Sequence, residues 1–197
     1  PREEWLESDP NMFTYVGRYS SYKGIDSSIE AFCRFQQTHD NASLNIIGKK
    51  NDAYIEEVLE PIIEKYQVPH DKIIYHGFVS EAKKLEVMSR SHCLLFPSER
   101  EGWGLTITEG AAVGTPSIVY DSPGLRDAVI EGTAGFMTKE NTVESILELM
   151  ELSTTDMAYY EKIRTAAYEF SKKLNWDKTA EAFDTMMIDL MEVNGNE

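Results

Sequence analysis

Two carboxylates and two cations in this sequence have types and spacing that could serve one ligand. Glu101 and Glu109 stand with seven residues between them, and Gly102 and Gly104 lie in that interval. Arg18 directly follows an early apolar run that ends in Gly17, and Lys23 leads into Gly24. A forked guanidinium and a flexible ammonium can clamp a diphosphate. A carboxylate repels a phosphate but accepts hydrogen bonds from hydroxyls. Phosphate donors beside hydroxyl acceptors describe a site for a sugar nucleotide. The segment around the glutamates supports this reading. Cys93 to Phe96 is an apolar run stopped by Pro97, and Leu105 to Val113 has helical character, with Gly114 where a C-terminal cap belongs. A strand, a glycine turn and a helix leave free backbone N–H groups at a helix N-terminus, which suit a phosphate.

The roles divide by position. The backbone N–H groups of Trp103, Gly104 and Leu105, with the Thr106 hydroxyl, are candidate donors to sugar or phosphate oxygens. Glu109 sits about one turn into the helix, so its side chain leans back towards the N-terminal end and can accept from two vicinal hydroxyls such as those of a ribose. Gly110 in mid-helix costs roughly 1 kcal/mol against alanine, so we read it as a point of close approach. Glu101 can accept from hydroxyls of a transferred sugar or stabilise positive charge at an anomeric carbon. Its plain alternative is a loop carboxylate paired with Arg100. Trp103 either lines a pocket wall or closes the core. Lys49 and Lys50, after Gly48, read as solvated charges.

Positioning these groups requires an α/β frame. Apolar runs at Met12–Gly17, Ser43–Gly48, Lys72–Gly77, Cys93–Phe96, Pro116–Tyr120 and Gly135–Thr138 read as six strands. Helical spacing separates them over Ile25–Thr38, Ala53–Tyr66, Ser80–Ser89, Leu105–Val113 and Gly124–Ile130. Pro61 is expected to kink or restart the second helix. Asp26, Ser27 and Ser28 lie near the start of the first helix, where caps and negative charge help. The alternation predicts a Rossmann-like, six-stranded parallel sheet with helices on both faces. Ligands then bind beyond the C-terminal strand ends, where Gly17, Gly48, Gly77, Gly102 and Gly104 share one edge. A helical tail follows: Val143–Leu152, Met157–Lys173 and Trp176–Val193, with Thr142, Asp156 and Asn175 as N-caps. We read residues 1–11, with Trp5 packing on the body, as a linker remnant, and residues 12–193 as one domain.

Composition narrows the partners. A formal net charge of −15 over 197 residues repels nucleic acid and anionic lipid, so both are excluded. No apolar run approaches the roughly 20 residues of a membrane helix, and a polar N-terminus argues against a signal peptide. The expected location is cytoplasmic. Cys33 and Cys93 lie in apolar segments and read as buried free thiols. The four histidines have no metal spacing, so no metal is expected.

The motifs also fit together as a family pattern. Glu101-x7-Glu109, within Pro97-Ser98-x-x-Glu101-Gly102-Trp103-Gly104-Leu105, resembles the signature of family 4 glycosyltransferases, the "group 1" transferases of the GT-B fold. Gly17-Arg18 with Lys23-Gly24 is similar to that family's diphosphate loop. Gly48, Gly77-Phe78-Val79, Gly114-Thr115-Pro116, Gly132-x-x-Gly135 and Trp176 also fit its spacing. Two departures stand out: Gly110 replaces an alanine, and Pro123-Gly124-Leu125-Arg126-Asp127 replaces a Gly-Gly…Glu segment. The resemblance implies the donor half of a two-domain enzyme that transfers a sugar from a nucleotide diphosphate with retention and without a required metal or cofactor. It implies a diphosphate site at Gly17, Arg18, Lys23, Gly104, Leu105 and Thr106. It implies sugar contacts from Glu101, Gly102, Trp103 and Gly104, with Glu101 catalytic. Glu109 would hold the ribose, and Gly48, Phe78 and Val79 the base. An acceptor-binding N-terminal half would be missing, so the fragment alone is expected to bind nucleotide and transfer little. A dinucleotide-binding oxidoreductase lacks support, because Gly17 leads into Arg-Tyr-Ser-Ser-Tyr-Lys-Gly and not Gly-x-Gly-x-x-Gly. A GT-B sugar-nucleotide epimerase and a non-catalytic nucleotide-binding domain are the remaining alternatives.

Overall fold

The computed structural model describes residues 8–130 and 132–194. Strand β1 (Asp9–Val16) is followed by a 3-10 turn (Ser21–Lys23) and α1 (Ile25–Gln36). Next come β2 (Ser43–Ile47), α2 (Asp52–Tyr54), a π turn (Ile55–Leu59), α3 (Glu60–Tyr66) and β3 (Ile73–Gly77). The chain continues through α4 (Glu81–Arg90), β4 (Ser91–Phe96), α5 (Leu105–Ala112), β5 (Ser117–Val119), α6 (Leu125–Ala128) and β6 (Phe136–Met137). It ends in α7 (Val143–Thr155), α8 (Met157–Ser171) and α9 (Trp176–Asn194). All six strands are parallel, in the order β3-β2-β1-β4-β5-β6.

The period-two alternation of each strand divides the core. Phe13, Tyr15, Leu44, Ile46, Cys93 and Leu95 face a cluster built with α1, α3, α7 and α8. Val16, Ile47, Leu94 and Phe96 face the other side, against Met88 of α4, Ile107 of α5 and Leu125 of α6. Both cysteines are buried free thiols. Helix α5 stops as its sequence foretells: the Thr115 N–H donates to Gly110 O at 2.8 Å and the Gly114 N–H to Ala111 O at 3.1 Å, a Schellman closure.

Several boundaries differ from the sequence reading. Asp9 to Asn11 belong to β1, not to a linker, because Asp9 pairs with Ser91 across an irregular register. Trp5 and the rest of residues 1–7 lie outside the described residues. Helix α1 is capped by the backbone of Gly24, with φ 72°, and no side chain caps it. The α-helix restarts at Pro61, as its sequence predicts. The chain widens into the π turn just before it, with the Glu60 N–H donating to Ile55 O, and the proline takes a first-turn position of α3. Helix α9 is exposed along its described length, including Trp176 at 82% and Met191 at 63%. Among the described residues no helix is long and apolar enough to cross a membrane.

Candidate functional site

The strand order reverses between β1 and β4, and that is where ligands of open parallel sheets bind. The loops leaving those two strands are locked together. The Glu99 N–H donates to Tyr22 O at 3.0 Å, and the Ser98 hydroxyl donates to the same oxygen at 3.2 Å. Gly24 lies so close that a Cβ there would sit 2.2 Å from Pro97 O. With its positive φ, this position excludes any other residue on two counts. Beneath the loop, the Tyr15 hydroxyl donates to Arg18 O at 2.8 Å. Burial first, then the charge of Asp26, pushes the Tyr15 pKa up, so this hydroxyl keeps its proton.

This lock brings Lys23 to Glu101. Lys23 Nζ stands 2.5 Å from Glu101 Oε1, with side chains 19% and 14% exposed. The partner of Glu101 is therefore not its neighbour Arg100 but a cation 78 residues away. Arg18 stands exposed in the same loop. On the far side, Gly104 caps α5 with φ 84° and no side-chain bond. Leu105 and Thr106 are the first residues of that helix, so their N–H groups have no place in its ladder. Leu105 is exposed and Thr106 half-buried. Gly102 is exposed, and an open recess lined by Glu99, Arg100, Glu101, Gly102 and Pro123 adjoins it. Trp103 is half-buried; it packs against the α4–α6 side of the core and lies 6.4 Å from the Phe170 ring, so it closes the core behind the turn.

The second carboxylate is also paired. Glu109 Oε2 lies 2.8 Å from Lys84 Nζ, and Lys84 reaches Glu81 Oε2 at 2.7 Å. Burial works against the Lys84 ammonium, but its hydrogen bonds to Glu109 and Glu81 outweigh this and leave its pKa raised. Lys84 is the residue that sequence reasoning missed. In Glu81-Ala82-Lys83-Lys84 it reads as one more solvated charge, and only the packing of α4 on α5 identifies it. That packing depends on Gly110, where a Cβ would stand 3.2 Å from both Met88 Cε and Thr115 O. Gly110 is thus a point of close approach, as its composition cost implies.

The third group of expected residues lies along the β2–β3 side of the same edge. The Gly17 N–H donates to Ile47 O and the Gly48 N–H to Gly77 O, each at 3.0 Å, so the three strand-ending glycines run side by side. Beyond Gly77, Phe78 is 89% exposed while Val79 packs against the α4–α6 side of the core. Lys49 and Lys50 are exposed, and Lys50 sits over the Tyr75 ring. In the segment that departs from the family pattern, Gly124 packs against the Glu101 carbonyl, and Arg126 pairs with Asp121. Among the described residues no group of three His, Cys, Asp or Glu is placed to hold a metal ion.

The pattern described as "Glycosyl transferases group 1" matches residues 2–170, and the chain belongs to that family. Glycogen synthase of Mycobacterium tuberculosis is 27% identical over 176 residues, which span 88% of this chain and 41% of that protein. The chain spans less than half the length of the curated relatives it matches. Among solved structures, Anabaena HepE in complex with UDP and glucose superposes with a TM-score of 0.77 at 18% identity, over 91% of this chain and 48% of that one. The C-terminal domain of a group 1 glycosyl transferase, LpcC of Francisella tularensis, gives 0.71 at 17% identity, over 87% of this chain and 91% of that domain. The fold is that of the C-terminal half of a GT-B glycosyltransferase.

Proposed function

We propose that this chain is the donor domain of a retaining glycosyltransferase and binds a nucleotide diphosphate sugar along the C-terminal edge of β1 and β4. The observation that carries the reading is the meeting of Lys23 and Glu101 across two interlocked loops. One is suited to a diphosphate and the other to sugar hydroxyls, and a bound donor has both parts. Arg18, Lys23 and the free N–H groups at the start of α5 take the diphosphate. Glu101, Gly102, the backbone N–H of Trp103 and Gly104 contact the sugar, and Glu109 accepts from the ribose. Gly48, Phe78 and Val79 border the base.

In transfer, the bond from the anomeric carbon to the diphosphate oxygen breaks, and the leaving diphosphate carries away the electron pair. Arg18, Lys23 and the α5 N-terminus stabilise that charge. Glu101 faces the positive charge that develops on the sugar. The acceptor hydroxyl oxygen bonds to the anomeric carbon from the face the diphosphate leaves and gives its proton to the departing diphosphate oxygen, which yields retention. The relatives extend well beyond this chain, and we assign acceptor binding to such an additional half. On this reading the 197-residue chain binds donor but transfers little, and it works on the cytoplasmic side of a membrane or in the cytoplasm. UDP bound to HepE makes uridine the first base to try.

Calorimetric titration with UDP, GDP and ADP tests the reading. We expect saturable binding of one nucleotide and a loss of about a hundredfold in Glu109→Ala, the effect of two charge-assisted hydrogen bonds. Binding of none of the three by the wild-type chain would overturn it.

A further inference from the structure

Glu109 is held by a residue with no assigned role. Helices α4 and α5 approach closely at Gly110, against Met88. Lys84 lies one turn before Met88, and Glu109 lies one residue before Gly110, so the approach sets Lys84 against Glu109. The Lys84 side chain is only 12% exposed, while Glu109 is 36% exposed. Lys84 thus stands behind the carboxylate, which still has an open side. Its Nζ contacts Glu109 Oε2 at 2.8 Å. The Lys84 ammonium donates to Oε2 and not to Oε1. The third member, Glu81, is 79% exposed and holds the ammonium from the solvent side at 2.7 Å.

We propose that Lys84 is the positioning residue of the ribose site, fixing Glu109 through Oε2 so that Oε1 faces the ligand hydroxyls. This rests on the assignment of Glu109 to the ribose. A free glutamate on a helix surface samples several rotamers and must be ordered when a ligand arrives. Lys84 removes that freedom in advance, as preorganisation requires. The arrangement also connects two parts of the nucleoside site. The loop Gly77–Val79, assigned to the base, leads directly into α4, and α4 carries Lys84 to Glu109. Base and ribose contacts therefore share one rigid support. Lys84 does not touch the ligand; it acts through Glu109.

The test separates positioning from packing. Wild type, Glu109→Ala, Lys84→Met, Lys84→Gln and Lys84→Arg are titrated with UDP, GDP and ADP and with the 2′,3′-dideoxy form of each. Circular dichroism checks that each variant folds. For the nucleotide that binds, Lys84→Met is expected to weaken the ribo form roughly tenfold. Its dideoxy form, which offers Glu109 no hydroxyl, should bind Lys84→Met as it binds wild type. Lys84→Arg should restore discrimination, and Lys84→Gln should fall between. An equal loss for both forms, or no loss in either, would overturn the positioning role while leaving the donor site standing. If wild type discriminates but Glu109→Ala discriminates equally well, the ribose assignment fails, and this inference with it. If wild type binds no nucleotide, the donor reading itself fails.

Discussion

The two ends of β4 use polar side chains in opposite ways. At its N-terminal end, with the Asp9 and Arg164 charges nearby, the hydroxyls and the imidazole are answered within the protein. The Thr14 and Ser91 hydroxyls lie 2.5 Å apart, Ser91 also donates to Val87 O, and Thr115 donates to Met88 O. His92 meets Ser153 O at 3.0 Å and stacks on Tyr160, 4.0 Å between ring centroids, while the Tyr160 hydroxyl donates to His92 O. At the C-terminal end the groups are charged and partly open: Lys23 with Glu101, and Lys84 with Glu109. The first network has nothing left to offer a ligand. The second consists of ions whose partners can be exchanged for those of a ligand, or that hold a partner in place for one. Six residues of strand separate a structural end from a receptive one.

The largest expected effect belongs to the structural end. Burial pushes the His92 pKa down to about 4, against a hydrogen bond to Ser153 that favours the proton. The folded value lies below the unfolded one, so between about pH 6.5 and pH 4 the unfolded chain takes up a proton that the native state refuses. Stability from neutral His92 is complete above that window and declines as pH falls through it, by about 3 kcal/mol in all. Denaturant unfolding across this range should show the decline, and His92→Phe, which keeps the stacking, should flatten it. Nucleotide affinity at neutral pH should not change in that variant. An unaltered slope in His92→Phe would remove His92 from the account.

Gly24→Ala probes whether the receptive end is also structurally braced. The new Cβ collides with Pro97 O and demands a left-handed backbone, so we expect a loss of about 2 kcal/mol or more in unfolding free energy. An unchanged melting temperature would show that the two loops part easily. The smallest effect belongs to Lys23→Met. It should lower UDP affinity about tenfold and leave uridine affinity unchanged, because only the diphosphate is lost as a partner. A fall in uridine affinity of the same size would mean that Lys23 shapes the pocket and does not read the phosphates.

Much of this architecture was legible because local signals agreed. Apolar runs ended by Gly17, Gly48 and Gly77 marked three strands and the edge they share, and Thr142, Asp156 and Ser80 cap the helices they precede. What local signals cannot give is a contact set by packing. Lys23 meets Glu101 only because Gly24 lets one loop press on another. Lys84 meets Glu109 only because Gly110 lets α4 approach α5. The same limit explains the start of α1: Asp26 and Ser27 are good capping residues, but the backbone of Gly24, fixed by its contact with Pro97, already occupies the cap. Asp9 to Asn11 carry no strand pattern and join β1 because Ser91 lies beside Asp9.

The most direct test of the central claim is an amide chemical-shift map of the chain titrated with UDP. We expect shifts concentrated at residues 17–24, 77–79 and 101–109, with His92, Ser153 and Tyr160 unmoved. Shifts centred on those three residues, or scattered without focus over the sheet, would contradict the assignment of the receptive end of β4.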